Sequence, residues 1–271
     1  MSEKVPLTDH RQTAPKSEPI TYTIVDKTEF AANKKILEDV FESDILMTEQ
    51  QMLDVISSFQ ERINGTNKRT KRKTIMGEKY RWPNKTVPFV FRDTNPKWQL
   101  TVWSGMRMWE AETCIKFKQL HPKTTEKNYI LILKGGGCYS SVGKVGGRQT
   151  ASIGFGCESA GVVAHEMGHA LGFWHEQNRG DRDQYININE DHILKGTKGN
   201  FETRLDTESL DIPYDFGSVM HYGSQAFSND YKYLTVETKD HKYQHTIGQR
   251  TSLSFTDVKQ ANAMYCSGKR S

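Results

Sequence analysis

Long apolar runs are missing from this 271-residue chain. No stretch approaches the ~20 apolar residues that a membrane-spanning helix needs, so no membrane partner is expected. The first twenty residues, "MSEKVPLTDHRQTAPKSEPI", lack the apolar core of a signal peptide. Either the chain is cytosolic, or its leader has been removed. An excess of one charge is missing too: 37 Lys and Arg against 33 Asp and Glu leave only +4. The basic residues cluster only in "KRTKRK" (68–73), so no nucleic-acid partner is expected. Cysteines number four, without the C-x-x-C pairs usual in structural zinc sites. All lie after residue 110, and their even count favours two disulfides and an oxidising compartment over buried thiols or ligands of a second metal. Glycine is dense at 134–157, but that stretch lacks the Lys-Ser/Thr ending of a phosphate loop and reads as strands and turns.

What is present falls into two parts. The first seventy or so residues are polar and cysteine-free, with one helix-like stretch at 46–63, where Met47, Met52, Leu53, Ile56 and Phe59 recur at helical spacing. A polar, basic linker follows at 64–73. Beyond it, 86–91 and 129–134 read as strands. Between them Trp98, Val102, Trp103, Met106 and Trp109 form a helical stripe that reads as core. Near the end, 254–266 reads as a helix capped by Ser254, with Asp257 three residues on.

Chemistry concentrates in "AHEMGHALGFWHE" (164–176), which holds three of the nine histidines. On a helix His165 and His169 project from one face and can meet one zinc ion at the ~2.0–2.1 Å of a Zn–N bond. Gly172 can take the positive φ that ends a helix abruptly, bringing His175 back as a third ligand. Three protein ligands leave a position open for chemistry, as in catalytic rather than structural zinc sites. Glu166 is placed to take a proton from water without being a ligand. A histidine satisfied in a core explains one such residue, not this array. H-E-x-x-H with a glycine and third histidine at fixed offsets is a known signature of metzincin proteases.

The likeness extends further. His165, Glu166, His169, Gly172, His175 and Glu176, followed by Arg179, Asp181, Arg182 and Asp183, resemble the astacin family of zinc metalloproteases over residues 73–266. The resemblance implies an α+β, two-lobed metzincin fold: a mixed twisted sheet with long helices in the first lobe, an irregular second lobe ending in a helix, and a cleft between them. It implies a Met-turn at "SVMHY" (218–222), with Met220 beneath the zinc and Tyr222 as an additional ligand that can swing off to serve catalysis. It also implies a peptide-binding edge strand at Cys138, Tyr139, Ser140 and Ser141, and the disulfides Cys114–Cys266 and Cys138–Cys157.

"FESD" (41–44) is similar to the F-x-G-D of astacin propeptides, with Ser43 in place of glycine; the resemblance makes Asp44 the inhibitory zinc ligand. Arg69-Thr70-Lys71-Arg72 has the form cut by furin-type proteases, so residues 1–72 are expected as a propeptide and 73–271 as the catalytic domain. Lys73 would become the new N-terminus, with Glu176 as its buried partner.

The expected protein is a secreted, monomeric zinc endopeptidase acting on protein and peptide substrates. It is held latent until a furin-like or trypsin-like protease cuts after Arg72. The sequons at Asn64 and Asn84 are expected glycosylation sites. A zinc-binding relative without activity and a zinc-stabilised structural protein are the competing classes. Retention of Glu166 argues against the first.

Overall fold

The computed structural model describes residues 28–65, 72–75, 77–204, 207–209 and 212–266. In chain order its elements are α1 (Glu29–Asn33), β1 (Ile45–Leu46), α2 (Glu49–Ile63), β2 (Arg72–Ile75) and β3 (Thr86–Phe91). Then come α3 (Pro96–Glu112), β4 (Lys116–Gln119), β5 (Tyr129–Leu133), β6 (Cys138–Ser141), β7 (Arg148–Ile153) and α4 (Ala160–Ala170). The second lobe holds β8 (Ile186–Ile188), β9 (Thr207–Ser209), β10 (Val236–Thr238) and α5 (Phe255–Tyr265). The result is the expected α+β architecture.

A six-stranded sheet in the order β1-β6-β7-β5-β3-β4 forms the first lobe. β3, β4, β5 and β7 run parallel, β6 is antiparallel to β7, and β1 joins β6 in parallel. α3 starts where Pro96 occupies the first turn and Asn95 accepts from the Trp98 amide at 3.1 Å. Its stripe packs as expected: Trp98, Val102, Met106 and Trp109 are buried and Trp103 is half-buried. The indole nitrogens of Trp98 and Trp109 donate to the carbonyls of Ile153 and Ala164, so neither ring buries an unpaired N–H. α4 lies against α3 and is buried from Gly161 to Ala170, as suits a helix at the centre of a molecule.

The helix expected at 46–63 forms as α2, with Met47 packed just before it against a small buried cluster and three apolar positions of the helix left open. Met52, Leu53 and Ile56 are 50, 52 and 47% exposed. α2 instead docks through Val55 and Gln51, whose amide donates to the Val142 carbonyl at 2.9 Å. The Phe59 side chain lies outside the described residues.

The second lobe has little regular structure, with β8 and β10 as an antiparallel pair and an aromatic cluster including Phe201, Tyr214, Tyr222 and Phe227. α5 returns to the first lobe, carrying Ala261 and Met264 into its core. Ser254 and Asp257 form the expected capping box. Both expected disulfides are present, Cys114–Cys266 and Cys138–Cys157.

Candidate metal centre and cleft

α4 ends at Ala170, and Gly172 takes φ 104°, a conformation that disfavours any side chain. The reversal returns the chain so that His175 faces His165 and His169. The three Nε2 atoms and a carboxylate oxygen of Asp44 form a group in which all ligand atoms lie within 4.8 Å of one another, every member buried. The two helical Nε2 atoms are 3.1 Å apart, and Asp44 oxygens lie 3.2 to 3.3 Å from the three nitrogens. A tetrahedron with bonds of ~2.0–2.1 Å has edges of about 3.3 to 3.4 Å. The donor set therefore fits a four-coordinate zinc ion.

The outer nitrogens are fixed as a metal site requires. His165 Nδ1 and His169 Nδ1 each lie 2.8 Å from a carbonyl, of Val219 and Phe173 respectively, and His175 Nδ1 lies 2.9 Å from Glu42 Oε2. Glu42 was not legible beforehand: its second oxygen accepts from Arg204, which lies 3.5 Å over the Trp174 ring.

Electrostatics follow from burial and charge. Burial pushes His165 down to about 4. Burial also opposes a charged His175, but Asp44 and Glu42 outweigh it and raise that imidazole to about 9. Burial alone would raise Asp44; the charges of His175 and His169 overcome it and hold the carboxyl well below its usual range. Glu166 moves the other way, raised well above the ordinary carboxylate range by burial and by the nearby charges of Asp44 and Glu29. Neither Glu166 oxygen has a protein hydrogen-bond partner among the described residues.

Beneath the cluster, Met220 presses on α4: a Cβ added to Gly168 would stand 2.6 Å from its sulfur. The turn at 218–220 is tied down by Asp257, which accepts from Ser218 Oγ at 2.7 Å and the Val219 amide at 2.9 Å. The sequence suggested only that residue's capping role. Tyr222 stands beside the cluster. Its ring lies 4.6 Å from that of His175, and its hydroxyl donates to the Glu42 carbonyl at 2.7 Å.

The leading segment fills the cleft. β1 extends the sheet beyond Ser140 and Ser141, and the Ser140 amide donates to the Asp44 carbonyl at 2.9 Å. Asn33 acts as a surrogate strand residue, accepting from the Cys138 amide at 2.7 Å and donating to the Cys138 and Ser43 carbonyls. Glu29, fully buried, pairs with Arg250 through contacts of 2.6 and 2.9 Å, and its Oε1 is 3.7 Å from His165 Nε2. Neither Asn33 nor Glu29 was singled out from the sequence. Arg179 holds Asp181 through two contacts and Glu176 through one, a buried ion network that braces the turn after His175.

Of the linker, Arg69 lies outside the described residues, whereas Arg72 and Lys73 fall in β2, paired with β9. Thr74 bridges Phe173, and the Ile75 amide donates to the Gly172 carbonyl at 2.8 Å. Asn64 and Asn84 are exposed.

The profile of the astacin peptidase family matches residues 74–266. The chain belongs to the astacin family. Similar proteins include zinc metalloproteinase nas-30 of Caenorhabditis elegans, 50% identical over 89% of this chain and 32% of its own length. Human meprin A subunit beta is 39% identical over 91% of this chain and 32% of its own. The chain thus spans about a third of the length of these curated relatives. Among solved structures, the astacin-like fold is shared with high choriolytic enzyme 1, a hatching-enzyme zinc protease from the medaka Oryzias latipes. That match has 36% identity and a TM-score of 0.64, covering 69% of this chain and 94% of that one.

Proposed function

We propose that this protein is a latent zinc endopeptidase in which residues 1–72 inhibit a catalytic domain at 73–271. The observation that carries the reading is the buried tetrahedral set of His165, His169, His175 and Asp44. Three neutral donors come from the catalytic domain, and the fourth comes from the segment that would be removed. When bound, zinc supplies a Lewis acid that polarises a peptide carbonyl and makes water nucleophilic near neutral pH.

The chain's own residues do the rest. His165, His169 and His175 would hold the metal, and departure of Asp44 would free the position its carboxylate fills beside them. Glu166, without a hydrogen-bond partner among the described residues, accepts the attacking water's proton and delivers it to the leaving nitrogen. Removal of the leading segment takes away both carboxylates, Asp44 and Glu29, that disfavour its ionised form. Tyr222 loses the Glu42 carbonyl as its acceptor. Its hydroxyl would then be free to join the metal ligands or to donate a hydrogen bond to the substrate carbonyl oxygen as charge develops. β6, freed of β1, offers Cys138, Tyr139, Ser140 and Ser141 as an edge for an extended substrate.

Activation by a furin-like or trypsin-like protease after Arg72 would leave Lys73 as the N-terminus, two residues before Ile75, which is bonded to Gly172 in the approach to Glu176. Secretion, glycosylation at Asn64 and Asn84, and a monomeric state belong to the same reading. Two disulfides and exposed sequon asparagines support the first two.

The test is hydrolysis of an unstructured protein before and after cutting at Arg72, with Glu166→Ala alongside. Activity should appear only after the cut and fall about a hundredfold or more in the variant with zinc retained. A cut, zinc-loaded, inactive protein would instead point to a binding relative.

A further inference from the structure

The leading segment places two consecutive side chains in the cleft. Glu29 goes to Arg250, within reach of His165. Phe30 goes elsewhere: it is 2% exposed and packs into the aromatic cluster of the second lobe, its ring 4.6 Å from that of Phe227. Together with half-buried Leu37, it is an outsider in a cluster otherwise built from residues of the second lobe.

Phe227, which receives the Phe30 ring, is held by neighbouring rings that do not depend on Phe30. The Phe227 ring lies 5.5 Å from Phe201 and 5.8 Å from Tyr222, and Phe201 lies 5.8 Å from Tyr222. Phe227 itself has φ 57°, a left-handed backbone conformation that is costly for an aromatic residue. It is secured by the catalytic domain's own bonds. Thr235 Oγ1 donates to the Ala226 carbonyl at 2.6 Å, and the Leu194 amide to that of Phe227 at 2.8 Å. Strain of this kind persists where surrounding structure fixes it, and it collects at ligand-binding positions. One neighbour of Phe227 is Tyr222, whose ring also meets His175. The place Phe30 occupies against Phe227 is therefore one ring removed from Tyr222 and stands beside the reacting centre, and departure of the leading segment vacates it.

We propose that this pocket, walled by Phe201, Tyr222 and Phe227, is a substrate subsite that takes an aromatic side chain. The inference rests on the peptidase reading above and names a substrate class for the same cleft. Phe30 shows the complementary shape: an aromatic ring enters, buries fully and meets Phe227 at a tilted angle of 43°. A ring pair of this kind strengthens binding beyond the area it buries.

The experiment uses the full chain cut at Arg72 and sets of internally quenched peptides, each pair differing by Phe or Ala at one position around the scissile bond. One position should show kcat/KM about tenfold higher for Phe than for Ala. In Phe227→Ala that ratio should fall to about one. A general loss of activity lowers both rates and leaves the ratio at about tenfold, so such a result would overturn the proposal. Should Phe227→Ala not fold, Phe227→Leu provides the same comparison, with the ratio expected to drop at least threefold. Hydrolysis without aromatic preference at any position would overturn the subsite and leave the peptidase reading intact. No hydrolysis of any peptide or of an unstructured protein by the cut, zinc-loaded chain would take down both.

Discussion

Ser43 stands where astacin propeptides usually carry glycine, and its φ of 71° gives the reason for the usual choice. A side chain in the left-handed region costs roughly 1–2 kcal/mol. Ser43→Gly should relieve that cost, partly offset by the greater freedom of glycine in the unfolded chain. The uncut protein should gain about 1 kcal/mol and melt roughly 2–4 °C higher, which calorimetry would detect; a lower melting temperature would show that the Ser43 side chain contributes more than its strain costs. Much of the residue-level site was legible. The three histidines, Glu166 and Gly172 could be read from local spacing, because a helix followed by a tight reversal converts sequence offsets directly into geometry. Asp44 needed the family resemblance. Glu29, Asn33, Glu42, Arg204 and Arg250 went unseen, since each acts through a partner far along the chain: 221 residues separate Glu29 from Arg250, and 162 separate Glu42 from Arg204.

At the scale of elements, α1 has only five residues, too few for a hydrophobic period, and its importance comes from what its side chains reach. Glu29→Gln would leave Arg250, buried beside it, facing a neutral amide. Breaking a buried ion pair from one side costs about 3–5 kcal/mol. On the proposed latent reading, the uncut variant should show peptidase activity above that of the uncut parent; equal activity would mean that Asp44 and β1 suffice. β2 carries a second consequence. The bond after Arg72 lies in a paired strand whose next residues, Thr74 and Ile75, are buried. A processing protease must wait for local opening. Trypsin should cut a synthetic peptide of residues 69–75 at least tenfold faster than the same bond in the folded chain, and equal rates would refute the protected strand. α2 teaches the reverse of α1. Helical spacing located the helix, but an apolar stripe cannot by itself say that a core lies beneath it. Val55 and Gln51 decide the docking instead.

For the molecule as a whole, the metal and pH act together. With zinc removed, His175 at about 9 and His165 at about 4 bracket the ~6.5 of an unfolded histidine. A raised pKa contributes stability below pH ~6.5 that is lost as pH rises through 9. A depressed one costs stability as pH falls from ~6.5 toward 4. The contribution of these two histidines to the metal-free uncut protein should therefore be greatest near pH 6–7, falling by a few kcal/mol on either side. Melting temperatures across pH 4–9 would check this; a stability that climbs steadily to pH 9 would contradict it. In the cut, zinc-loaded enzyme, activity should fall below about pH 6 as protons compete for the imidazoles, and a rate still rising below pH 5 would refute the ligand set.

The Cys114–Cys266 bond joins residues 152 apart. A loop of that length removes about 5 kcal/mol of unfolded-chain freedom in the entropic account, an upper figure. It also hides damage. Were the proposed peptidase to nick its own exposed loops, any single cut between 114 and 266 would leave both pieces on one covalent frame. Such a sample would run as a single intact band without reductant and break into fragments with it. Purity judged on a non-reducing gel would then count nicked molecules as whole.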